Sequence, residues 1–392
     1  MSLFLHFIHS IEKKNRKYYN NQTMIKDKFE YRKDVAFINR EKELKYLEEY
    51  INIRPESILF IHGPKSSGKT TLLYKFFEQI EKQQKLEIKF LNLREKLIDN
   101  YKDFIRIFFG VDYSKTRGDV KEKREYNLFK FFRLSVEELK GMESGELDPF
   151  EIMKTEFIKL NRKGIKPVVI IDELQSIDHI YINNGKDRQL IIELFNFFVA
   201  MTKESHLAHV IIASSDGYFL YTVYNDSRLK KTSRFYKVDY LPKEDMMEWL
   251  LNLEKYSKIK NYTLNPEDAE KIWNTVGGSM WEVQEILTDL FTTPLDEVLS
   301  LYLKKIKVMI GHYVGADDKK EKILHLFLTK EEANTRDFIQ AGIAKEEIDD
   351  LLRDMVRNNI LYFDPTEGLY FPQGKSYQEG IRLFFESISN PS

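Results

Sequence analysis

Short apolar segments alternate with amphipathic ones over the first 240 residues of the chain. Continuous apolar runs at 58–61, 168–171 and 210–213 predict fully buried strands, and the alternating segment 86–92 predicts another strand. Between these strands, apolar residues recur at helical spacing, as they do over 72–80. Strands that alternate with helices indicate an α/β fold with a parallel sheet buried on both faces.

The composition restricts the classes of partner and site. Basic residues number 61 and acidic residues 62 in a chain of 392, so no generally basic surface for nucleic acid or membrane is indicated. Cysteine is absent, which excludes disulfides and thiolate metal sites. No run of 18 apolar residues predicts a membrane-spanning helix, so we expect a cytoplasmic protein that contacts no membrane.

A glycine-rich turn follows the first predicted strand and matches the phosphate-loop pattern G-x-x-x-x-G-K-[ST]. The glycines let the backbone N–H groups of a tight turn point at one anion, and the next helix directs its positive end there. An ordinary turn is the alternative, but the apolar strand before it and the helical spacing after it favour a nucleoside triphosphate site. The predicted nucleotide-binding residues of this loop are Gly63, Pro64, Lys65, Ser66, Ser67, Gly68, Lys69, Thr70 and Thr71.

Four of the predicted residues have a chemical role. Lys69 supplies positive charge to the β- and γ-phosphates, and the Thr70 hydroxyl ligates Mg²⁺. Asp172 and Glu173 end a buried strand, where a carboxylate is costly without a cation partner. Asp172 is therefore predicted to bind Mg²⁺ with Thr70, and Glu173 to polarise the attacking water. The alternative for these two residues is a strand that simply runs into an acidic turn. The predicted cofactors are ATP or ADP and Mg²⁺.

With these motifs the chain resembles archaeal ATPases related to the signal-transduction NTPases with numerous domains, and it is also similar to origin-recognition ATPases. The resemblance includes the helix that begins in Phe37–Leu44, ahead of the phosphate loop. It implies that Arg40 lies beside the base or the phosphates. It also implies that Ser215, or else Ser214, senses the γ-phosphate, and that Arg234 senses the charge of the same group and takes part in catalysis.

The sequence departs from the family pattern at two turns. Serine replaces the glycine that commonly precedes the arginine at 234, just before a strand predicted at 238–242. The family commonly has Gly-Gly-x-Pro where this chain has Gly277-Gly278-Ser279-Met280, so the sequence gives no reason to expect a nucleotide contact from that turn.

The same resemblance implies a three-layer P-loop NTPase domain followed by a helical lid of the AAA type. Beyond the lid, three helices followed by a hairpin predict a winged-helix domain. The predicted domains are an N-terminal extension (1–36), a P-loop ATPase domain (37–240) with a helical insertion at about 94–164, a helical lid domain (241–293) and a winged-helix domain (294–392).

The predicted activity is slow, Mg²⁺-dependent ATP hydrolysis in a protein that acts as a nucleotide-driven conformational switch. One alternative is an origin-recognition-like or mobile-element DNA-binding ATPase. Another is a nucleotide-locked scaffold with negligible turnover. We expect ATP as ligand and an unknown protein partner at the helical insertion or the winged helix. DNA is possible but not favoured, because the helix predicted at 345–359 carries three basic and five acidic residues.

Overall fold

A computed structural model of the chain describes residues 36–80, 85–109, 136–182, 188–226 and 229–389. The predicted N-terminal extension lies outside the described residues except for Ala36, and so does the middle of the predicted helical insertion. No helix among the described residues is both long and apolar enough to cross a membrane.

Five parallel strands form the central sheet, in the spatial order β2-β3-β4-β1-β5. The three inner strands are buried along nearly their whole length, as their apolar sequences predict. The α/β fold class with a parallel sheet is thus confirmed. The strands are β1 (Ile58–His62), β2 (Leu86–Asn92), β3 (Lys166–Asp172), β4 (His209–Ala213) and β5 (Ser233–Lys237).

The strand predicted at 238–242 is wrong, because the fifth strand is Ser233–Lys237. This strand pairs with β1 along the edge of the sheet, where mixed polar and apolar residues are tolerated. The apolar residues that misled the prediction are buried outside the sheet. Leu241, for example, donates its N–H to the Gly278 carbonyl at 3.1 Å and packs with the helices of the predicted lid.

Helices cover both faces of the sheet and make up the part of the chain beyond it. Those of the ATPase segment are α1 (Glu41–Asn52), α2 (Lys69–Ile80), α3 (Tyr101–Phe109), α4 (Val136–Ser144), α5 (Pro149–Arg162), α6 (Leu190–Val199) and α7 (Gly217–Asn225). Those of the predicted lid are α8 (Lys243–Leu251), α9 (Leu253–Ser257), α10 (Pro266–Val276) and α11 (Met280–Asp289).

The C-terminal unit, residues 294–389, has the predicted order of three short helices and an antiparallel hairpin. A single bridge between Ala333 and Tyr370 adds a third chain segment to the hairpin. Its assignment as a winged helix stays a prediction. Its elements are α12 (Leu295–Val314), α13 (Asp318–Leu326), α14 (Thr335–Gln340), α15 (Lys345–Arg357), β6 (Leu361–Asp364), β7 (Leu369–Pro372) and α16 (Lys375–Ser389).

The last helix was not predicted, and it ties the C-terminal unit to the predicted lid. Helix α16 packs along α12 so closely that a Cβ at Gly380 would lie 2.6 Å from the Ile306 side chain. Buried side chains of α8, α10, α11, α12 and α16 belong to one hydrophobic core. The lid helices and the C-terminal unit are therefore held together by shared packing, although their predicted boundary at residue 294 separates them in sequence.

Candidate functional site

The phosphate loop joins the buried end of β1 to the first turn of α2. Two glycines are needed there for different reasons. Gly63 has φ of 148° and approaches the residue that follows β5, since a Cβ on it would lie 2.0 Å from the Val238 carbonyl oxygen. Gly68 has φ of 91° immediately before Lys69, the first residue of α2. The loop thus places the N-terminus of a helix at the carboxyl edge of the sheet, a setting suited to phosphate groups.

Lys69 is buried, and its ammonium group lies within the curve of the loop. It donates to the carbonyl oxygens of Gly63 and Pro64 at 2.9 and 2.7 Å, and to the Ser67 hydroxyl at 3.3 Å. Burial lowers the pKa of Lys69 to about 8, although the nearby carboxylates of Glu173 and Asp172 oppose that shift. A bound phosphate group would favour the charged form of this ammonium.

Thr70 and Asp172 lie side by side although they are far apart in sequence. The Thr70 hydroxyl donates to Asp172 Oδ2 at 2.6 Å. Burial raises the pKa of Asp172 to about 6, while the Thr70 hydrogen bond opposes the shift. A buried carboxylate next to a hydroxyl is a suitable pair of oxygen ligands for Mg²⁺, which would favour the ionised form of the carboxylate.

Glu173 stands at a sharp turn after β3, in the left-handed region with φ of 62°. Its carboxylate is held by three neighbours: an ion pair with Arg94 at 2.8 Å, the Ser215 hydroxyl at 3.2 Å and the Gln175 amide at 2.5 Å. Arg94 was not predicted from the sequence. It follows Asn92 at the end of β2, and β2 pairs with β3, so the order of the strands brings the arginine to Glu173.

A pocket of about 560 Å³ opens above the phosphate loop, a size typical of small-molecule sites. It collects most of the predicted residues of the loop together with Glu173 and Ser215. The N-terminus of α11 forms its opposite wall. The lining residues are Ala36, Lys65, Ser66, Gly68, Lys69, Thr70, Thr71, Arg94, Glu173, Ser215, Trp249, Met280, Trp281 and Gln284.

The first residues of α11 line the pocket, although residue 280 is not the proline that is common in the family. Met280 and Trp281 line the pocket because the preceding Gly-Gly turn presses against the backbone of Leu241. A Cβ at Gly278 would lie 1.9 Å from the Leu241 carbonyl oxygen, so only glycine permits this approach. The Gly277-Gly278 pair was the feature of the sequence from which this close approach could have been predicted. The lid contributes apolar side chains and the Gln284 amide to the pocket.

The two candidate sensor serines occupy different environments. Ser215 lines the pocket and donates to Glu173, whereas Ser214 is fully buried. The Ser214 hydroxyl donates to the Gln175 side chain at 2.8 Å and accepts from the Asp216 N–H at 3.0 Å. Of the two, only Ser215 is in a position to meet a bound phosphate.

Arg40 lies next to the phosphate loop but does not line the pocket. Its guanidinium donates to the backbone carbonyls of Ser67 and Asp239 at 3.0 and 2.7 Å and pairs with Glu43 at 2.7 Å. These bonds join helix α1, the phosphate loop and the segment after β5. Arg40 therefore contacts the backbone of the loop and not the pocket, and its predicted position beside the base or the phosphates stays a prediction.

Arg234 is not brought to the pocket, so the structure does not support its predicted position as a phosphate sensor. It is exposed on β5, and its Cα is in register with Leu59, near the amino end of β1. Gly63 lies four residues farther along β1, at the opposite edge of the sheet. The error has the same origin as the misplaced strand: the arginine belongs inside β5 and not before it.

The C-terminal hairpin contacts the outer side of the phosphate loop. The Tyr240 hydroxyl donates to the Lys65 carbonyl at 2.9 Å and to the Gln373 carbonyl at 3.2 Å. With its amide oriented to satisfy both ends, Gln373 accepts from the Lys65 N–H at 2.8 Å and donates to the Leu361 carbonyl at 3.2 Å. Lys65 thus faces the pocket on one side and is bonded to the C-terminal unit on the other.

A second set of contacts joins the hairpin to the strand ends around the loop. His62, the last residue of β1, lies 3.1 Å from the Tyr362 hydroxyl through Nδ1. Burial lowers the pKa of His62 to about 4, so its ring is neutral near pH 7. Lys237 at the end of β5 pairs with the fully buried Asp364 at 3.1 Å. This ion pair, of which the carboxylate is fully buried and the lysine partly exposed, holds the hairpin against the carboxyl edge of the sheet.

Comparison with known proteins identifies related sequences over most of the chain. A family model described as an ATPase domain predominantly from Archaea matches residues 37–286. An uncharacterised ATP-binding protein of Methanocaldococcus jannaschii is 34% identical over 350 residues, which are 86% of this chain and 91% of that protein. An uncharacterised ATP-binding protein of Pyrococcus abyssi is 34% identical over 361 residues, which are 90% of this chain and 99% of that protein.

Two solved structures support the fold alone, because their sequence identities are low. The Walker-type ATPase of Pyrococcus abyssi superposes with a TM-score of 0.61 at 16% identity, over 88% of this chain and 96% of that one. The Orc2 protein of Aeropyrum pernix superposes with a TM-score of 0.51 at 12% identity, over 90% of this chain and 95% of that one.

Proposed function

Because the chain belongs to the family of ATPase domains found predominantly in Archaea, we propose that it hydrolyses ATP slowly with Mg²⁺ and uses the bound nucleotide to reposition its C-terminal unit. The ATP-binding class follows from the family. What we propose beyond the family is the slow rate of hydrolysis, the use of Mg²⁺ and the nucleotide-driven movement of the C-terminal unit.

The phosphates of ATP bind at the N-terminus of α2. The Lys69 ammonium and the backbone N–H groups of the loop neutralise their charge. Thr70 and Asp172 hold Mg²⁺, for which their adjacent oxygens at 2.6 Å and the costly burial of the carboxylate make a suitable site. The bound Mg²⁺ would neutralise charge that develops on the phosphate oxygens.

Glu173 is the group that orients and polarises the attacking water. Its carboxylate faces the same pocket as Lys69 and Thr70, and Ser215 lies beside it. A positioned general base typically contributes a factor of about 100 or more to the rate. Because Arg94, Gln175 and Ser215 all engage this carboxylate, it must exchange a partner for water before it can act, which is consistent with slow turnover.

The observation that carries the switch is the position of Lys65 between the pocket and the C-terminal hairpin. A nucleotide shifts a conformational equilibrium only where its contacts differ between the two states. Lys65 lines the pocket, and its backbone groups bond to Tyr240 and Gln373. Movement of the loop between ATP and ADP would therefore alter bonds to the hairpin. ADP favours the compact arrangement, and ATP favours a displaced C-terminal unit.

The test compares wild-type protein with Glu173→Gln and, as control, with Glu270→Gln on the exposed surface of the lid. Glu173→Gln is expected to bind ATP with wild-type affinity, to hydrolyse it at least about a hundredfold slower and to stay in the ATP-bound form by small-angle scattering. Glu270→Gln should match the wild type in all three measurements. Scattering profiles that are identical with ATP and ADP would exclude the switch, and wild-type turnover in Glu173→Gln would exclude the assigned base.

A nucleotide-locked scaffold is the second candidate, and the three partners of Glu173 favour it. A carboxylate that stays bonded to Arg94 cannot polarise water. Turnover of purified wild-type protein decides between the two functions. Hydrolysis that is undetectable over hours, with nucleotide still bound, supports the scaffold.

A further inference from the structure

The amino-terminal edge of the sheet, opposite the phosphate loop, collects exposed basic side chains from four chain segments. Arg54 precedes β1, and Lys85 precedes β2. Two further lysines surround the start of β3, and two more precede β5. We name these residues the basic edge: Arg54, Lys85, Lys163, Lys166, Lys230 and Lys231, all of them exposed.

Backbone contacts show that these segments are neighbours. The Lys166 N–H donates to the Lys85 carbonyl at 2.8 Å. The ammonium group of the exposed Lys203, in the helical segment Ala200–Glu204 before β4, donates to the Lys231 carbonyl at 3.4 Å. Five strands spaced by about 4.8 Å make this edge roughly 19 Å wide. The cations therefore lie along one edge of the sheet and are not scattered over the molecule.

The cations of the basic edge differ from many other described lysines in having no carboxylate partner. Elsewhere many lysines have a carboxylate partner, as in the pairs Lys243–Glu270 and Lys319–Glu347. Among the described residues, no carboxylate pairs with any of the six cations, and the exposed acidic residues in the same loops are Glu56 and Glu204. The whole chain has a net charge of −1, so this surface is a local concentration of positive charge.

A cavity of about 280 Å³ opens within the same edge, between the ends of α1 and α5. Arg54 and Lys166 lie at its rim with His206. His209 also lines it and is fully buried. Burial lowers the pKa of His209 to about 4, so its ring is neutral near pH 7.

We propose that the basic edge binds the phosphate backbone of nucleic acid. Phosphate recognition needs cations and polar groups and no apolar anchor. Protein interfaces, in contrast, usually have a buried aromatic or aliphatic centre. Ile53 is the large apolar residue exposed at this edge, at 46%. The chemistry of the surface therefore favours nucleic acid over an acidic protein.

The site is separate from both the nucleotide pocket and the C-terminal unit. A five-residue parallel strand spans about 16 Å, which separates the basic edge from the phosphate loop. Two arginines of α15, Arg353 and Arg357, lie over the Tyr218 ring at 4.3 and 5.4 Å and are engaged by the ATPase segment. Nucleic acid on the basic edge would thus be bound together with ATP and without help from α15.

The test uses the full chain, a labelled 20-base-pair duplex of arbitrary sequence and fluorescence anisotropy from about 50 to 300 mM salt. Lys163→Glu, Lys230→Glu and Lys231→Glu are combined in one edge variant. The matched control combines Lys304→Glu, Lys307→Glu and Lys322→Glu on the C-terminal unit, which leaves the same net charge. ATP binding to both variants is measured in parallel and should equal that of the wild type.

We expect the edge variant to bind duplex at least about tenfold more weakly near 100 mM salt, with a salt slope smaller in magnitude by about 3. The control should stay within about twofold of the wild type. Equal binding by both variants would overturn the proposal, and so would a comparable loss in Arg353→Gln/Arg357→Gln. Binding to polyglutamate or anionic lipid vesicles but not to duplex would assign the surface to another partner. A lack of ATP binding in the wild type would instead contradict the proposed function.

Discussion

The Arg94 guanidinium and the Glu173 carboxylate form an ion pair of 2.8 Å in the lining of the pocket above the phosphate loop. The arginine is 63% exposed, while the carboxylate is only 9% exposed. A pair in which one member is solvated is worth at most about 1 kcal/mol. Arg94 can therefore restrain Glu173 without locking it, because a competing water or phosphate can displace the arginine.

Replacing Arg94 with alanine should raise basal ATP turnover. Release of the carboxylate removes at most about 1 kcal/mol of restraint, which corresponds to an increase of up to about fivefold. Arg94→Lys keeps the charge and should stay close to the wild type. Steady-state phosphate release measures all three proteins. A fall in turnover in Arg94→Ala would mean that the arginine acts on the phosphates and not as a restraint.

Lys69→Ala should abolish tight ATP binding. The substitution removes the cation that lies within the loop and leaves the charge of the phosphates without its main counter-ion. Lys75→Ala is a suitable control, because Lys75 is on the same helix but pairs with Glu78 outside the pocket. Titration calorimetry is the measurement. Unchanged affinity in Lys69→Ala would contradict the assignment of the phosphate loop.

Coupling between the loop and the C-terminal unit is tested by Tyr240→Phe. The variant loses the hydrogen bonds to Lys65 and Gln373 but keeps the packed ring. The hydroxyl shares one proton between the two carbonyls, so its loss is worth about 0.5–1.5 kcal/mol in total, and ADP should be released about two- to tenfold faster. Tyr313→Phe is the control, since its hydroxyl bonds to Asp354 within the C-terminal unit. Equal ADP release from the wild type and both variants would show that Tyr240 does not transmit the state of the loop.

Glu282 provides a prediction about pH. Burial raises its pKa above the usual 4.5, although the hydroxyls of Ser376 and Tyr302 donate to its carboxylate at 2.5 and 2.8 Å. The folded protein therefore holds a proton on Glu282 that the unfolded chain loses, and the contribution of this group to the free energy of unfolding falls as pH rises above about 4.5. Glu282→Gln should remove this contribution, so its stability relative to the wild type should increase with pH in thermal melts, whereas that of Glu270→Gln should not. Identical slopes would contradict the raised pKa.

The nucleotide motifs could be predicted because their chemistry is local. In Gly63–Thr71 the pattern of residues in one turn dictates the shape of the loop, and a buried strand that ends in Asp172 requires a cation. Ser215 was predicted only by resemblance, and it lies at the pocket. The positions of these residues are determined by their immediate neighbours in sequence, or by the end of a strand at the carboxyl edge of the parallel sheet.

Sequence spacing does not encode the contacts that determine the positions of Arg234, Arg94 and Trp281. The edge strand β5 is held by its pairing with β1, so its polar sequence carried no strong strand pattern. Arg94 reaches Glu173 because β2 pairs with β3. Trp281 reaches the pocket because Gly278 allows a close approach to Leu241. Such contacts are decided by the tertiary arrangement.

The two ends of the described chain meet in one core, and this has a consequence for biosynthesis. Ala36 and Ile38, which precede the sheet, share a hydrophobic core with Ile381 and Phe384 near the end of the described chain. Domains tend to fold as they leave the ribosome. The sheet and phosphate loop can assemble once β5 has been made, but the core beneath the lid is incomplete until α16 emerges. A nascent chain thus has a phosphate loop before it has a closed pocket, so we expect stable capture of nucleotide only after α16 has left the ribosome.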